Sequence, residues 1–303
     1  MKILVYSSLN IDSTFSVDHI VLPGETESST GFRKAAGGKG ANQAVAIAKA
    51  AGKGRIKVFF AGKVGSDGEF ALKKLNEYGV DTSFVHHTES GTGQAIIQLD
   101  REGQNSILLY GGGNQENTED EIDAVLQNFE EGDILVLNGE INCLSHLMDR
   151  ALKLGMRVCI NPSPVTDEIL KLPLGKASLL VLNEIEGATI AKAKPDATYL
   201  EILTKLVKKF PKTEILLTLG KFGAYYGFRD IVEHSTSFAA EVVDTTCAGD
   251  TFLGYYLVSR SNGKKIRTSL ETAGKASSIT VSRPGAMDSI PFVQEVDAIP
   301  DRT

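Results

Sequence analysis

Two glycine-rich segments combine small residues with charged and amide side chains in a pattern that could bind an anion. The first, residues 37–43 (GGKGANQ), runs directly into an alanine-rich stretch that favours a helix. Its glycines would leave backbone amides exposed at the N-terminus of that helix, where a phosphate or a hydroxyl group can be held. The alternative is a tight turn that only lets the helix pack close to a strand.

The second segment, residues 244–252 (DTTCAGDTF), places an acid inside a potential anion hole. A stretch with helical spacing follows, so the amides of Ala248, Gly249 and Asp250 would form a first helical turn, where the helix dipole favours developing negative charge. The Asp250 carboxylate could then accept a proton from a substrate hydroxyl while the amides stabilise the group that this hydroxyl attacks. Alternatively, Asp250 only stabilises its own helix.

Several other classes of protein are disfavoured. None of the seven Gly-Lys pairs is followed by Ser or Thr, which excludes a Walker A loop, and no HExxH spacing is present. Three cysteines without CxxC spacing fit a reducing cytosol better than a disulfide framework or a zinc cluster. A net charge of −6 gives no general reason to bind nucleic acid or an anionic membrane, so neither is expected as a partner.

Short apolar runs alternate with longer stretches of helical spacing, which predicts an α/β fold with a mostly parallel central sheet between helical layers. Each run is expected to be a buried strand followed by a helix. The predicted strands are Ile3 to Leu9, Ile56 to Ala61, Ile134 to Leu137, Arg157 to Ile160, Leu179 to Leu182 and Ile215 to Leu219. Capping boxes at Ser66-Glu69 and Thr118-Glu121 predict helices that run to Tyr78 and to about Phe129.

Two segments interrupt this alternation. Residues 13–32 and 91–110 look extended, without helical spacing between them, and Gly103 marks a hairpin turn in the second. Since such strands do not easily join the central parallel sheet, we expect a small separate sheet that covers a site as a lid. No repeat or linker divides the chain, so residues 1–303 are predicted to form one domain with this lid inserted.

Taken together, these motifs resemble the ribokinase or PfkB family of carbohydrate kinases. The GGKGANQA run at 37–44 and the DTTCAGDTF run at 244–252 are similar to the two signatures of that family, in the expected order. The stretches NPSP at 161–164, LNEIE at 182–186 and TLGKFG at 218–223 are also similar to segments of the family. The resemblance implies a three-layer α/β/α fold with a β-sheet lid.

The resemblance also implies roles for individual residues. Asp250 would be the general base, with the anion hole at Ala248, Gly249 and Asp250. The implied sugar-binding residues are Asn10, Asp12, Gly38, Lys39, Asn42, Glu140 and Asp250. The implied ATP-binding residues are Asn183, Glu186, Thr218, Gly220, Gly223 and Gly249.

Two cations are implied as well. Asn183 and Glu186 lie three residues apart at a predicted helix start, so they share a face and could order a water-rich Mg²⁺ shell. The same two side chains could instead form a capping box. The resemblance further implies a monovalent cation, K⁺, held mainly by backbone carbonyls. Its implied positions are Asp244, Thr246, Thr280, Arg283, Gly285 and Ser289.

The function that follows from this resemblance is ATP-dependent phosphorylation of a sugar hydroxymethyl group, with D-ribose converted to ribose 5-phosphate. A kinase for fructose, a keto-deoxy sugar acid or a nucleoside remains an alternative, and a non-catalytic sugar or nucleotide sensor is another. Cys247 stands where the family usually has a small alanine, and at a helix N-terminus its thiol is expected to react with thiol reagents.

Two further expectations concern assembly and location. A small sheet with apolar positions at Ile96, Ile97, Ile107 and Leu109 would be costly to leave exposed to water, so a homodimer through the lid strands is predicted. The N-terminal apolar run is too short for a signal sequence or a membrane span, which predicts a cytoplasmic protein.

Overall fold

The computed structural model describes residues 1–301, which form two β-sheets and two layers of helices. The strands are β1 (Lys2–Tyr6), β2 (Asn10–Ser16), β3 (Gly31–Gly37), β4 (Lys57–Val64), β5 (Asp81–His87), β6 (Gly93–Leu99), β7 (Asn105–Tyr110), β8 (Ile134–Asn138), β9 (Arg157–Asn161), β10 (Leu179–Asn183), β11 (Glu214–Thr218), β12 (Ala224–Phe228) and β13 (Ile231–Ser235).

The helices are α1 (Lys39–Ala51), α2 (Glu69–Glu77), α3 (Glu119–Leu126), α4 (Leu144–Lys153), α5 (Asp167–Lys171), α6 (Glu184–Ala191), α7 (Tyr199–Lys209), α8 (Ala248–Ser261), α9 (Ile266–Val281) and α10 (Val293–Asp297). Within residues 1–301, none of them has the length and apolar character needed to cross a lipid bilayer.

The larger sheet has nine strands in the order β13-β12-β11-β10-β9-β8-β1-β4-β5, and it is parallel apart from β12, which pairs antiparallel with both β11 and β13. Successive side chains of β1 enter different cores: Ile3 and Val5 pack with one cluster, and Leu4 and Tyr6 with the other. Helices α1, α2, α8, α9 and α10 supply the first core, and α3 to α7 the second. The predicted three-layer α/β/α fold is therefore confirmed.

The smaller sheet is the predicted lid, with strands in the order β3-β2-β6-β7. The segment predicted at 91–110 forms β6 and β7, joined by a turn in which Gly103 adopts a φ of 80° and its amide donates to the Asp100 carbonyl. The segment predicted at 13–32 is only partly extended, because residues 17–30 are mostly loop. Strand β3 instead continues to Gly37, so the lid leads directly into the first glycine-rich turn.

Some local predictions are wrong. Thr118 and Glu121 form the expected capping box, and α3 then ends at Leu126, before Phe129. Ser66 does not cap α2: residues 66–68 form a 3₁₀ turn, and the neighbouring Asp67 carboxylate accepts hydrogen bonds from the amide and hydroxyl of Thr92 instead. After β11 the chain forms the antiparallel β12 and β13 rather than a helix.

Candidate active site

The polar residues named from the sequence meet at the carboxyl edge of the central sheet. Glu140 follows β8, which pairs with β1, while Asn183 and Thr218 end the neighbouring strands β10 and β11. Asn161 ends β9, between these two groups. Helices α1 and α8 begin at the same edge, which is where open α/β sheets bind ligands. The strand order therefore places the residues expected to bind the sugar on one side of β9 and those expected to bind the nucleotide on the other.

Asp250 is held by two amide side chains from α1. The Nε2 of Gln43 donates to its Oδ1 at 2.9 Å, and the Nδ2 of Asn42 donates to its Oδ2 at 3.5 Å. Burial raises the pKa of Asp250 to about 6, and the charge of Glu140 adds to this, while Lys39 and the two amides oppose the rise. Asp250 is thus ionised at neutral pH but basic enough to take a proton.

The start of α8 offers two free amide donors, where the sequence predicts an anion hole of three. The Ala248 amide donates to the Thr245 carbonyl at 3.3 Å, so Gly249 and Asp250 are left as the first-turn donors. A Cβ atom added to Gly249 would meet nothing within 4 Å, which shows open space beside its amide. This space can accept a phosphoryl group next to the Asp250 carboxylate.

The expected reactivity of Cys247 is wrong. The residue caps α8 in the left-handed conformation with a φ of 64° and is only 7% exposed. Burial, followed by the charges of Asp250, Asp12 and Asp244, raises the pKa of its thiol well above the ordinary range. A buried thiol that stays protonated is a poor nucleophile.

On the sugar side, two expected binding residues are fixed by hydrogen bonds from Ser8, Lys39 and Asn114, of which the sequence singles out only Lys39. The Glu140 carboxylate accepts a short hydrogen bond from the Ser8 hydroxyl and a 3.3 Å bond from the Lys39 amide. The Asn10 side chain accepts from the Nδ2 of Asn114 at 2.7 Å and is itself buried. Polar groups held this firmly are suited to reading the positions of several hydroxyls.

Asp12 lies in the same cluster, on lid strand β2. Burial raises its pKa to about 7, and the nearby charge of Glu140 adds to the rise while Arg33 opposes it. The carboxylate lies against the backbone of β3, since a Cβ atom on Gly37 would come within 2.0 Å of its Oδ2. The next residue, Gly38, has a φ of 92°, which only glycine adopts readily. The first glycine-rich turn is therefore shaped around Asp12 and the start of α1.

On the nucleotide side, Asn183 and Glu186 form the capping box that was left open as an alternative. The Glu186 amide donates to the Asn183 side chain at 2.8 Å, and the Glu186 carboxylate accepts from the Asn183 amide at 3.0 Å. Thr218 lies beside Asn183 in the sheet. Gly220 and Gly223, with φ values of 52° and 90°, bracket a 3₁₀ turn that follows it. Asn183 and Thr218 thus end neighbouring strands, with Glu186 in the first turn of α6 and the two glycines in the turn after β11.

These residues suit a magnesium ion bound mainly through water and phosphate oxygens. Within residues 1–301 no group of three or more His, Cys, Asp or Glu side chains could enclose a metal. Glu186 is 9% exposed, and its Oε2 accepts hydrogen bonds from the Asn183 amide and the Asn161 side chain. A single carboxylate that orders water beside phosphates is a common arrangement for Mg²⁺.

The positions expected to bind K⁺ lie in the loop before α8, at the end of α9 and in the loop after α9, and the Asp244 carboxylate joins the two loops. This carboxylate accepts from the amides of Thr246 and Gly285, each at 2.9 Å. The side chains of the remaining three are engaged elsewhere: Thr280 bonds Thr251, Arg283 pairs with Glu295, and Ser289 bonds the Ala286 carbonyl. Their backbone carbonyls are therefore the groups that a hard cation would use.

Sequence reasoning missed three residues that organise the site, namely Gln43, Asn161 and Asn114. Gln43 stands inside the first glycine-rich motif and Asn161 opens the NPSP run, so both lie in segments that were quoted without a role for them. Asn114 carries no local signal, because its contact with Asn10 spans 104 residues of sequence.

Comparisons with known proteins agree with this geometry. The chain matches the pfkB family of carbohydrate kinases over residues 1–292. It is 32% identical to a ribokinase of Staphylococcus aureus over 98% of this chain and 99% of that protein, and 35% identical to a ribokinase of Schizosaccharomyces pombe over 98% and 97%. The structure of Arabidopsis thaliana ribokinase complexed with ribose and ATP superposes with a TM-score of 0.83 at 28% identity, covering 97% and 96% of the two chains.

Proposed function

The chain belongs to the pfkB family of carbohydrate kinases, and we propose that it transfers the γ-phosphoryl group of ATP to the hydroxymethyl oxygen of D-ribose, giving ribose 5-phosphate and ADP. The observation that carries the proposal is the Asp250 carboxylate at the start of α8, which accepts hydrogen bonds from the Gln43 and Asn42 amides and lies next to the partly buried residues expected to bind the sugar. The full-length similarity to ribokinases supports ribose as the substrate.

In the proposed reaction the Asp250 carboxylate accepts the proton of the sugar hydroxyl as the oxygen attacks the γ-phosphorus. A new O–P bond forms, the bond from the γ-phosphorus to the bridging oxygen breaks, and ADP leaves with the bond's electron pair. The amides of Gly249 and Asp250, at the positive end of the α8 dipole, stabilise the charge on the phosphoryl oxygens. Asp12, Asn10 and Glu140 orient the sugar.

Lys39 supplies positive charge to this cleft. Burial disfavours its ammonium form, but the carboxylates of Asp250, Glu140 and Glu186 outweigh that cost and raise its pKa, so it stays charged. When bound with ATP, Mg²⁺ neutralises phosphate charge, and Glu186 with Asn183 would hold its water shell. The amides of Gly249 and Asp250 together with the Lys39 ammonium group explain how the phosphoryl group is transferred without a Walker A loop.

The substrate is tested by measuring ADP release with ATP and Mg²⁺ across D-ribose, deoxyribose, fructose, a keto-deoxy sugar acid and adenosine. The proposal predicts the highest kcat/KM for D-ribose. Turnover with a different substrate alone would contradict the sugar assignment while keeping the role of Asp250. No turnover on any of them would favour a sensor.

We also infer activation by K⁺ at the loops that Asp244 joins. Carbonyls at Thr246, Gly285 and nearby positions suit a hard monovalent cation. Thr246 lies just before the anion hole in sequence, and the Asp244 carboxylate ties its loop to that of Gly285. The same ADP assay with K⁺ replaced by tetramethylammonium, which is too large for such a site, is expected to show a clear fall in kcat. Equal rates in both salts would contradict the inference.

A homodimer through the lid is inferred from exposed apolar residues on β7. Ile107, Leu108 and Leu109 are 53%, 66% and 54% exposed, an unusual run for a strand left in water. Light scattering is expected to give the mass of a dimer, and Leu108→Glu a monomer. Leu200→Glu, at an exposed position on α7, is the matched control and keeps the dimer. A monomeric mass for the unmodified protein would contradict the inference.

We infer further that the chain acts as a single kinase domain in the cytoplasm. Residues from both sheets contribute to one site, which supports one functional unit. Cys143, Cys159 and Cys247 are all unpaired, as expected where thiols are kept reduced. Limited proteolysis is expected to give no stable fragment that corresponds to the lid or to the central sheet alone.

A further inference from the structure

A chain of side-chain hydrogen bonds joins the two halves of the site beneath the cleft. The Nε2 of Gln43 donates to the Oδ1 of Asp250 at 2.9 Å and lies 3.3 Å from the Oδ1 of Asn161. The Nδ2 of Asn161 donates in turn to the Val181 carbonyl at 2.9 Å and lies 3.5 Å from the Oε2 of Glu186. Because Asn161 ends the strand between the two clusters, this chain runs from the acid at α8 to the acid at α6.

We propose that Gln43 is a positioning residue for proton transfer, which fixes the Asp250 carboxylate and ties it through Asn161 to Glu186 on the nucleotide side. The inference rests on the proposed function, since it assigns Gln43 a task in the reaction of Asp250. In the proposed reaction Gln43 contacts neither the sugar nor the phosphoryl group and acts only through the Asp250 carboxylate.

The burial of Gln43 argues for a role beyond packing. It is fully buried in α1, a helix whose Val45 and Ile47 belong to the apolar core, and its Oε1 has no hydrogen-bond partner within residues 1–301. A buried amide with an unused oxygen costs free energy that an apolar side chain would avoid. Both of its partners are acceptors, so the amide must present its NH₂ group to them. The free-energy cost of burying this amide is explained if position 43 requires an NH₂ donor for Asp250 and Asn161.

The charged groups around Asp250 show how the Gln43 amide affects the ionisation of this acid. Lys39 approaches from α1, Glu140 from the loop after β8, and Cys247 from the turn before α8. Burial and Glu140 favour the protonated acid, whereas Lys39 and the Gln43 amide favour the carboxylate. Removing the amide therefore makes Asp250 harder to ionise and leaves its carboxylate free to rotate.

The test is the pH dependence of single-turnover phosphoryl transfer to D-ribose, at saturating sugar and ATP, for the unmodified protein and for Gln43→Met. Methionine keeps the volume and removes the donor. The midpoint of the acidic limb is expected to rise by about one pH unit, which is the size of one hydrogen bond to a charged group. The rate on the plateau is expected to fall about tenfold while KM for the sugar changes little.

Ser269→Ala is the matched control, because it removes a buried hydroxyl bond of 2.9 Å to Ser259 in the same helical layer without touching the site. Its pH profile should match that of the unmodified protein. Gln43→Glu gives a second measurement should the methionine variant fold poorly: it keeps the shape but replaces the donor by an acid, and the midpoint must again rise.

The outcomes separate the inference from the proposed function. If both Gln43 variants titrate like the unmodified protein while Asp250→Asn is inactive, Gln43 has no positioning role and the proposed base stands. If Asp250→Asn retains full turnover, the proposed function itself is wrong. A fall in rate for Gln43→Met with an unchanged midpoint and a raised sugar KM would show general disruption of the site, and would also overturn the inference.

Discussion

The close approach of β3 to Asp12 gives a sharp test of the sugar site. A Cβ atom at Gly37 would lie 2.0 Å from the Asp12 Oδ2 and 2.4 Å from its Cγ, so Gly37→Ala requires the carboxylate to move. Reaching an acceptable separation takes a displacement of roughly 1 Å, which carries a hydrogen bond of ordinary length beyond its useful range. Losing one hydrogen bond to a charged group costs about 1.5–3 kcal/mol.

At about 1.4 kcal/mol per tenfold, this loss predicts a rise of about 10- to 100-fold in the KM for D-ribose. The kcat at saturating sugar should change far less, because Asp250 and the α8 amides are untouched. The assay is steady-state ADP release over a range of ribose concentrations. Gly31→Ala, at the other end of β3, is the matched control, since its Cβ would meet only the rotatable Ser16 hydroxyl at 3.3 Å. A KM for Gly37→Ala equal to that of this control would refute the reasoning.

Three further predictions follow from buried ionisable groups. Because the pKa of Asp12 is raised to about 7, its carboxylate forms as the pH rises through that value. The kcat/KM for ribose should therefore increase about tenfold between about pH 6 and pH 8. A flat pH profile would contradict this prediction. Lys49 donates hydrogen bonds to the carbonyls of Met287 and Ile290 at 3.1 and 2.7 Å. Lys49→Met should therefore lower the free energy of unfolding, measured by urea titration, by about 2 kcal/mol. An unchanged free energy would show that these bonds contribute nothing. Cys247 should resist iodoacetamide at neutral pH until the protein is unfolded, as mapped by mass spectrometry, and rapid labelling of the native protein would oppose that prediction.

The sequence predicts six of the nine strands of the central sheet, because each of these six is a short apolar run that is largely buried, whereas the edge strands β5, β12 and β13 were missed. Ile134–Asn138 and Leu179–Asn183 are examples, and both lie where the apolar runs indicate. The hairpin of β12 and β13 was missed because exposed residues such as Ile231 and Val232 give it no buried pattern. Its shape depends on the turn before it, where Gly223 adopts a φ of 90°.

The candidate site is predictable only where its residues fall inside a continuous motif. Asp250 and Asn42 were identified because the glycine-rich runs carry them. Asn114 was not identified, and Asn161 was given no role although it opens the NPSP run, because their contacts with Asn10 and with Gln43 join segments more than a hundred residues apart. Such partners become visible only when the order of strands is known.

The most direct test of the account is Asp250→Asn, assayed for D-ribose-dependent ADP release in parallel with calorimetric binding of ribose and ATP. The amide keeps the size and shape of the side chain but cannot accept the hydroxyl proton. We expect turnover to fall by about 10²- to 10⁴-fold, the usual contribution of a general base, while both ligands still bind. Turnover at the level of the unmodified protein would show that Asp250 is not the base.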